Sequence, residues 1–342
     1  MAPDISPRYL AAGGVAGGYA ALALDGGGVP LWRCDLAARA HDIAVHRKSG
    51  LCAVIDRKPG KMARICDLAT GAVISVLLPL SGCSFDGHAA FSTDGATLFT
   101  TQSAAAGQIG QIVVYDLASG RISRHFPSHG IEPHELVWLK PDRLLAVGNG
   151  GIVDRRSADP IDSSLVLINA ADGSLCRQWI LDDELETLSI RHLARLPGDR
   201  VVFAAQDQDA ATDIRPLLGI ADPAGGLNFL TLPATIHRRL DGYIGGVAVD
   251  SRGDLIAATA PRGGLALFWS ASDRRHLGAV EMSDVCGVAA TGEAGTFHLT
   301  SGHGGQCRVR IEVASGGISE LELNFPPVAG LQWDNHLTWI GA

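Results

Sequence analysis

Four histidines stand at similar places in a repeated pattern, and imidazole is the side chain that ligates metals and changes charge near neutral pH. His41, His88, His134 and His192 each open a short apolar run that ends in a polar turn, at steps of 47, 46 and 58 residues. Neutral imidazole suits iron, copper or zinc, and several rings on one rim could chelate such an ion. Glu135 follows His134 directly, and Glu132 and Asp86 lie close by, so carboxylate oxygens could complete a mixed donor set. The metal set expected is His88, His134 and His192, with His41, Glu135, Arg57, Arg191 and Arg262 as further ligand-binding candidates. The arginines lie in Arg57-Lys58-Pro59-Gly60, Arg191-His192 and Pro261-Arg262-Gly263-Gly264. A guanidinium grips a carboxylate or phosphate as a two-pronged fork. The ligand implied is a transition metal (iron, copper or zinc) or a small organic molecule.

A structural role stands beside that reading. A Gly-His pair such as Gly87-His88 can tie one repeat together through side-chain hydrogen bonds, and an arginine at a strand end can simply pair with Asp or face water. No Gly-x-Ser-x-Gly elbow and no cysteine beside a local base is present, so nucleophilic catalysis has no support. Asn149-Gly150-Gly151 and Ser301-Gly302-His303-Gly304-Gly305 are glycine-rich, but no helix follows to make a phosphate cradle. The chain reads as a binding protein more than an enzyme.

Whether the imidazoles meet depends on the elements that carry them. Gly246, Gly287 and Gly330 open three more copies of the pattern, at further steps of 54, 41 and 43 residues. Seven units of that length built from short strands predict one seven-bladed β-propeller of the WD40/YVTN-like kind, with four-stranded blades, over residues 1–342. The leading run of each unit should be the innermost strand, and inner strands radiate around one channel, so their first residues share one mouth. The last unit runs out at Ala342, too soon for four strands. Residues 8–36 should supply the rest, making a composite blade that leaves no open sheet edge. Three glycine starts among seven predict a lopsided site.

Forty-two glycines with only 19% charged residues suit many tight turns rather than long helices. The best helical candidate is Asp182 to Leu188. A net charge of −8 without a Lys/Arg cluster excludes nucleic acid and anionic membranes as natural partners. The seven cysteines (34, 52, 66, 83, 176, 286 and 307) are scattered with no Cys-x-x-Cys pair, which reads as small apolar core residues rather than a disulfide framework. The apolar stretch Tyr9 to Leu24 carries four glycines and is shorter than the roughly 20 residues that span a bilayer, so it reads as two strands, and no membrane span is expected. Polar inserts at Asn149 to Pro160 and Gln206 to Pro216 should sit at blade ends. Six tryptophans could make a protein-docking patch, although most fall inside predicted strands.

The stretches Arg57-Lys58-Pro59-Gly60, Gly87-His88-Ala89-Ala90-Phe91-Ser92, Pro133-His134-Glu135-Leu136, Asn149-Gly150-Gly151-Ile152, Ser189-Ile190-Arg191-His192-Leu193, Ala260-Pro261-Arg262-Gly263-Gly264 and Asp284-Val285-Cys286-Gly287-Val288-Ala289 resemble a bacterial propeller family of unknown function. The resemblance covers nearly the whole chain, and Ser-Ile-Arg-His-Leu is its most specific piece. Members usually carry a twin-arginine export signal and are often encoded beside imelysin-like proteins linked to iron uptake. The resemblance therefore implies a periplasmic setting, a tie to iron acquisition and a protein partner in an iron-uptake system. The N-terminus departs from it, with no twin-arginine stretch ahead of Tyr9. Pro133-His134 is also loosely similar to a strand start of propeller lactonases, which implies an alternative: a lactonase-like or metal-dependent enzyme using the same mouth. A protein-interaction scaffold is the third reading.

Overall fold

The apolar runs are short, rich in β-branched residues and bounded by Gly and Asp turns, which favours strands over helices. The computed structural model describes residues 6–104, 108–153, 161–209, 214–312, 317–321 and 330–341. In it the strands form seven four-stranded antiparallel sheets arranged as the blades of a β-propeller. Counted from the first complete sheet, the inner strands are Ala40–His46, Ser84–Phe91, Pro133–Lys140, Leu188–Leu196, Gly246–Val249, Val285–Ala290 and Gln332–Trp339. Each lies at the channel edge of its sheet, as the leading position in the repeat predicts.

Middle strands are sandwiched between neighbouring blades, so both faces are buried and no polar alternation survives. Leu255–Ala260 is buried at all six positions, and Leu51–Asp56 at all but the first. Outer strands face water and turn polar: Leu175–Ile180 buries only Trp179. The hydrophobic core is a set of inter-blade clusters. One joins Leu10, Ala21 and Ala23 of blade seven to Ile43, Val54 and Cys66 of blade one.

Both termini build blade seven. Gln332–Trp339 pairs with Tyr9–Val15, which pairs with Gly18–Leu24, which pairs with Pro30–Leu36. Gly13 permits this closure: a Cβ there would come within 2.7 Å of the Gln332 carbonyl oxygen. The stretch Tyr9 to Leu24 is thus two strands, as expected. Asp182 to Leu188 differs from expectation. It holds only a 3-10 turn at Asp183–Leu185 before the inner strand of blade four begins, because only the seven residues 181–187 separate that strand from the outer strand Leu175–Ile180. The α-helix among the described residues is Ala234–Arg239, between blades four and five, too short to imprint a period on the sequence. No helix among the described residues is long and apolar enough to cross a membrane. Residues 154–160 and 210–213 of the two polar inserts lie outside the described residues.

No tryptophan is exposed. Trp179, Trp269 and Trp333 are buried and the other three half-buried. Packing between blades, not a docking patch, is what the six indoles serve.

Candidate metal centre in the channel

The inner strands of five blades each carry one imidazole toward the channel. His41, His88, His134 and His192 do converge, and a fifth joins them: His336, on the closing strand of blade seven. Ring centroids lie 4.6 Å apart for His336 with both His41 and His88, and 4.9 Å for His336 with His192. His134 stands 5.0 Å from His88 and 5.1 Å from His192. The remaining two blades present Gly246 and Gly287, so the cluster is five-sevenths of a ring. The glycine at 330 lies six residues before His336. Blade seven spells Asp334-Asn335-His336 where blade two spells Asp86-Gly87-His88, and that parallel was the signal available in the sequence.

The strands are pinned at these positions. The Thr101 hydroxyl of blade two donates to the carbonyl oxygen of His134 in blade three at 3.1 Å. At Gly87 the backbone has φ +115°, and a Cβ would lie 2.5 Å from Cδ2 of His41. The glycine ahead of His88 thus makes room for the ring from the preceding blade.

Two sets of three rings bring donor atoms within 4.8 Å of one another: His41, His88 and His134, and His88, His192 and His336. Their surroundings differ. Nδ1 of His134 faces Nη1 of Arg191 at 3.5 Å. A guanidinium only donates, so it favours the tautomer with the proton on Nε2 of His134, the nitrogen that would otherwise bind an ion. In the second set, Nδ1 of His88 lies 3.3 Å from Asp42 Oδ2, and Nδ1 of His192 lies 3.3 Å from Glu135 Oε2. The same Glu135 oxygen accepts the backbone N–H of Leu193 at 3.0 Å. On His192 the Glu135 carboxylate at Nδ1 fixes the tautomer whose Nε2 lone pair is free for a cation, whereas at His88 the Asp42 contact is an ion pair in which Nδ1 makes no hydrogen bond. Nε2 of His88, His192 and His336 are all buried with no hydrogen-bond partner.

Orphaned buried polar atoms are costly, and an ion held among these three rings would satisfy them. Around a tetrahedral ion, nitrogens at about 2.0–2.1 Å from the metal sit roughly 3.4 Å apart. The rings must therefore draw together slightly on binding. Among the five rings, His41, His134, His192 and His336 are held well below the ordinary imidazole range, chiefly by burial and then by neighbouring positive charge; for His336 the pKa falls to about 3. Neutral rings are the ligating form. His88 is the exception: burial pulls it down, but the charges of Glu135 and Asp42 outweigh that and raise it.

Above the cluster is a cavity of about 370 Å³ whose lining includes His41, His134 and His192. Its wall carries Arg57, Lys58, Asp86, Glu132 and Arg191, together with Tyr243 and Asn335. Lys58 Nζ bridges Asp86 at 3.2 Å and Glu132 at 3.1 Å, and buried Arg191 reaches Glu132 at 3.1 Å. Asp86 is pushed up to about 6, mainly by burial. Below, the channel opens into a second cavity of about 530 Å³, lined by Asp42, Glu135 and His336 and by other residues of all seven inner strands. The five rings thus lie between two cavities of the channel. Of the residues singled out in the sequence, His41, His88, His134, His192, Glu135, Asp86, Glu132, Arg57 and Arg191 gather here. Arg262 does not reach the cavity. It pairs with Asp241 at 3.7 Å and lies over the Tyr243 ring, half-exposed outside the mouth. Asp42 and Lys58, like His336, acquire their part only from the fold.

Over residues 34–340 the sequence matches a family model described as "Protein of unknown function (DUF1513)". No curated protein matches it. Solved structures with the same fold include Kuenenia stuttgartiensis Hydrazine Synthase, at 12% identity and TM-score 0.66 over 90% of each chain. A chain of a mitotic checkpoint complex is similar at 13% identity and TM-score 0.61, covering 83% of this chain and 76% of that one. The RRP9 WD40 repeats are similar at 14% identity and TM-score 0.62, over 82% and 78%. At such identities the likeness is one of fold.

Proposed function

Because the chain belongs to the DUF1513 family, whose function is unknown, we propose its role from its own site: it binds one transition-metal ion at His88, His192 and His336. The observation that carries this reading is the set of three buried Nε2 atoms without partners, two of them on rings whose other nitrogen faces a carboxylate. All-imidazole donation suits iron, copper and zinc. His41 and His134 complete the imidazole wall, and the charged cavity above them gives an ion or a small anionic co-ligand its way in.

The setting we propose is the periplasm, and the process is iron acquisition alongside an imelysin-like partner. The support for both is the resemblance of stretches such as Ser189-Ile190-Arg191-His192-Leu193 to exported propellers of that kind. We read the centre as a binding site more than a catalytic one, since the sequence carries no Gly-x-Ser-x-Gly elbow and no cysteine beside a local base.

The test is direct. Protein made without an affinity tag is titrated with ferrous iron, copper and zinc in turn, and bound metal is counted by elemental analysis. One equivalent per chain is expected, with the His192→Ala/His336→Ala variant losing it while keeping its β-sheet circular dichroism. Full metal content in that folded variant would refute the assignment.

A further inference from the structure

Three thiols meet where blade seven packs on blade one, far from the histidine centre in chemistry and on a different set of strands. Cys34 is on the outer strand Pro30–Leu36, and Cys52 and Cys66 are on the middle strands Leu51–Asp56 and Ala63–Asp67. Alternation along Pro30–Leu36 puts Trp32, Cys34 and Leu36 on one face. Trp32 donates from Nε1 to the carbonyl oxygen of Leu68 at 3.0 Å, and two residues along each chain from that contact stand Cys34 and Cys66. All three cysteines belong to the same inter-blade cluster: Cys52 and Cys66 are buried within it and Cys34 packs half-buried against it. Cys66 is the thiol whose electrostatic surroundings include both Cys52 and Cys34.

We propose that Cys34 and Cys66 are a disulfide-forming pair that covalently fastens the closing blade to the first one when the protein meets a low-molecular-weight disulfide. The Cys34 thiolate attacks one sulfur of the small disulfide, that S–S bond breaks, and a mixed disulfide forms as one small thiol leaves. Cys66 then attacks the Cys34 sulfur and expels the second small thiol. Two protein thiols are oxidised, one small disulfide is reduced to two thiols, and the protons of Cys34 and Cys66 pass to the leaving groups.

Accessibility and register select this pair over Cys52–Cys66. Cys34 is the thiol of the three that solvent reaches, whereas Cys52 is fully buried. Cys52 and Cys66 are direct register partners, but the Asp56 N–H donates to Met62, and counting in twos along an unbroken ladder makes Cys52–Cys66 a hydrogen-bonded pair. In such pairs the side chains stand farther apart than at non-hydrogen-bonded positions. Cys66 is suited to the second attack: the neighbouring Cys52 thiol and the Arg64 charge together lower it. Burial raises Cys34, so the first exchange is the slow one and the mixed disulfide does not accumulate.

The test uses the full chain with Cys83, Cys176 and Cys307 replaced by serine, leaving Cys34, Cys52, Cys66 and Cys286. Reduced, folded protein is incubated with oxidised glutathione, quenched in acid, alkylated and mapped without reduction. The expected result is loss of two of four thiols, a cross-linked Cys34–Cys66 peptide, the same cross-link in Cys52→Ala, none in Cys34→Ser, and a thermal midpoint that falls when dithiothreitol is added. Four surviving thiols, a stable glutathione adduct on Cys34, or a Cys52–Cys66 peptide would each overturn the proposal. Metal content is not involved, so this result and that of the histidine centre fail or stand separately.

Discussion

At the scale of residues, the centre depends on which nitrogen of each ring is left without a proton. Glu135 decides that for His192 through a hydrogen bond at 3.3 Å, and Asp42 stands at the same distance from Nδ1 of His88 as an ion pair. Removing such a carboxylate from a ligating histidine commonly weakens a site 10–100-fold. Asp42→Asn and Glu135→Gln should therefore each lower metal affinity by about that factor, as read by competition with a chromophoric chelator, while thermal unfolding of both stays cooperative. Equal affinities would mean that these carboxylates only balance charge. Gly87 is a second single-residue test. Its positive φ and the 2.5 Å approach to His41 leave no place for a methyl group, so Gly87→Ala should cost about 1–3 kcal/mol in denaturant unfolding. The cost should exceed that of Gly82→Ala, also at positive φ but with open space around it.

At the scale of elements, the strand Gln332–Trp339 does two jobs: it closes the ring and it delivers His336. Its outward partner Tyr9–Val15 would become an open edge without it, and unpaired edges invite association. Deleting residues 332–342 should abolish metal binding and also shift the protein to aggregates in size-exclusion chromatography. His336→Ala should abolish only the first. This strand is also where the sequence was hardest to read. Six inner strands were visible as a leading His or Gly before an apolar run, because that alternation is local. In the seventh, Asn335 replaces the glycine and Gln332-Trp333 precedes it, so Gly330 six residues upstream matched the pattern better. Asp42 and Lys58 were unreadable for another reason. Their partners, His88 for one and Asp86 with Glu132 for the other, lie on neighbouring blades, and only closure of the ring brings them together. The thiols Cys34, Cys52 and Cys66 look scattered along the chain for the same reason. Arg262 shows the converse error: a promising local motif whose strand end points past the mouth to Asp241.

At the scale of the whole molecule, a propeller gathers one residue per blade into a small volume, so it collects buried imidazoles that no single element would tolerate. The consequence is a stability that depends on acidity. His298 and His336 have pKa values lowered to about 3 in the fold, against 6.5 for the free side chain. Between those values the unfolded chain binds more protons than the folded one, so stability is full above about pH 6.5 and falls as the pH drops toward 3. Each such histidine contributes a slope of up to about 1.4 kcal/mol per pH unit. His88, raised in the fold, acts in the opposite sense, and its share is lost as the pH rises through its folded value. Unfolding free energies of the metal-free protein measured from pH 7.5 to 4 should decline, and His298→Gln should flatten the slope. A profile independent of pH would mean that water reaches these rings.

The most direct measurement is X-ray absorption at the metal edge on protein loaded with one equivalent of zinc or copper. The account predicts a first shell of imidazole nitrogens with the multiple-scattering pattern of about three histidines, lost in His192→Ala/His336→Ala. A shell of oxygen or sulfur donors, or the unchanged imidazole pattern in that variant, would contradict it.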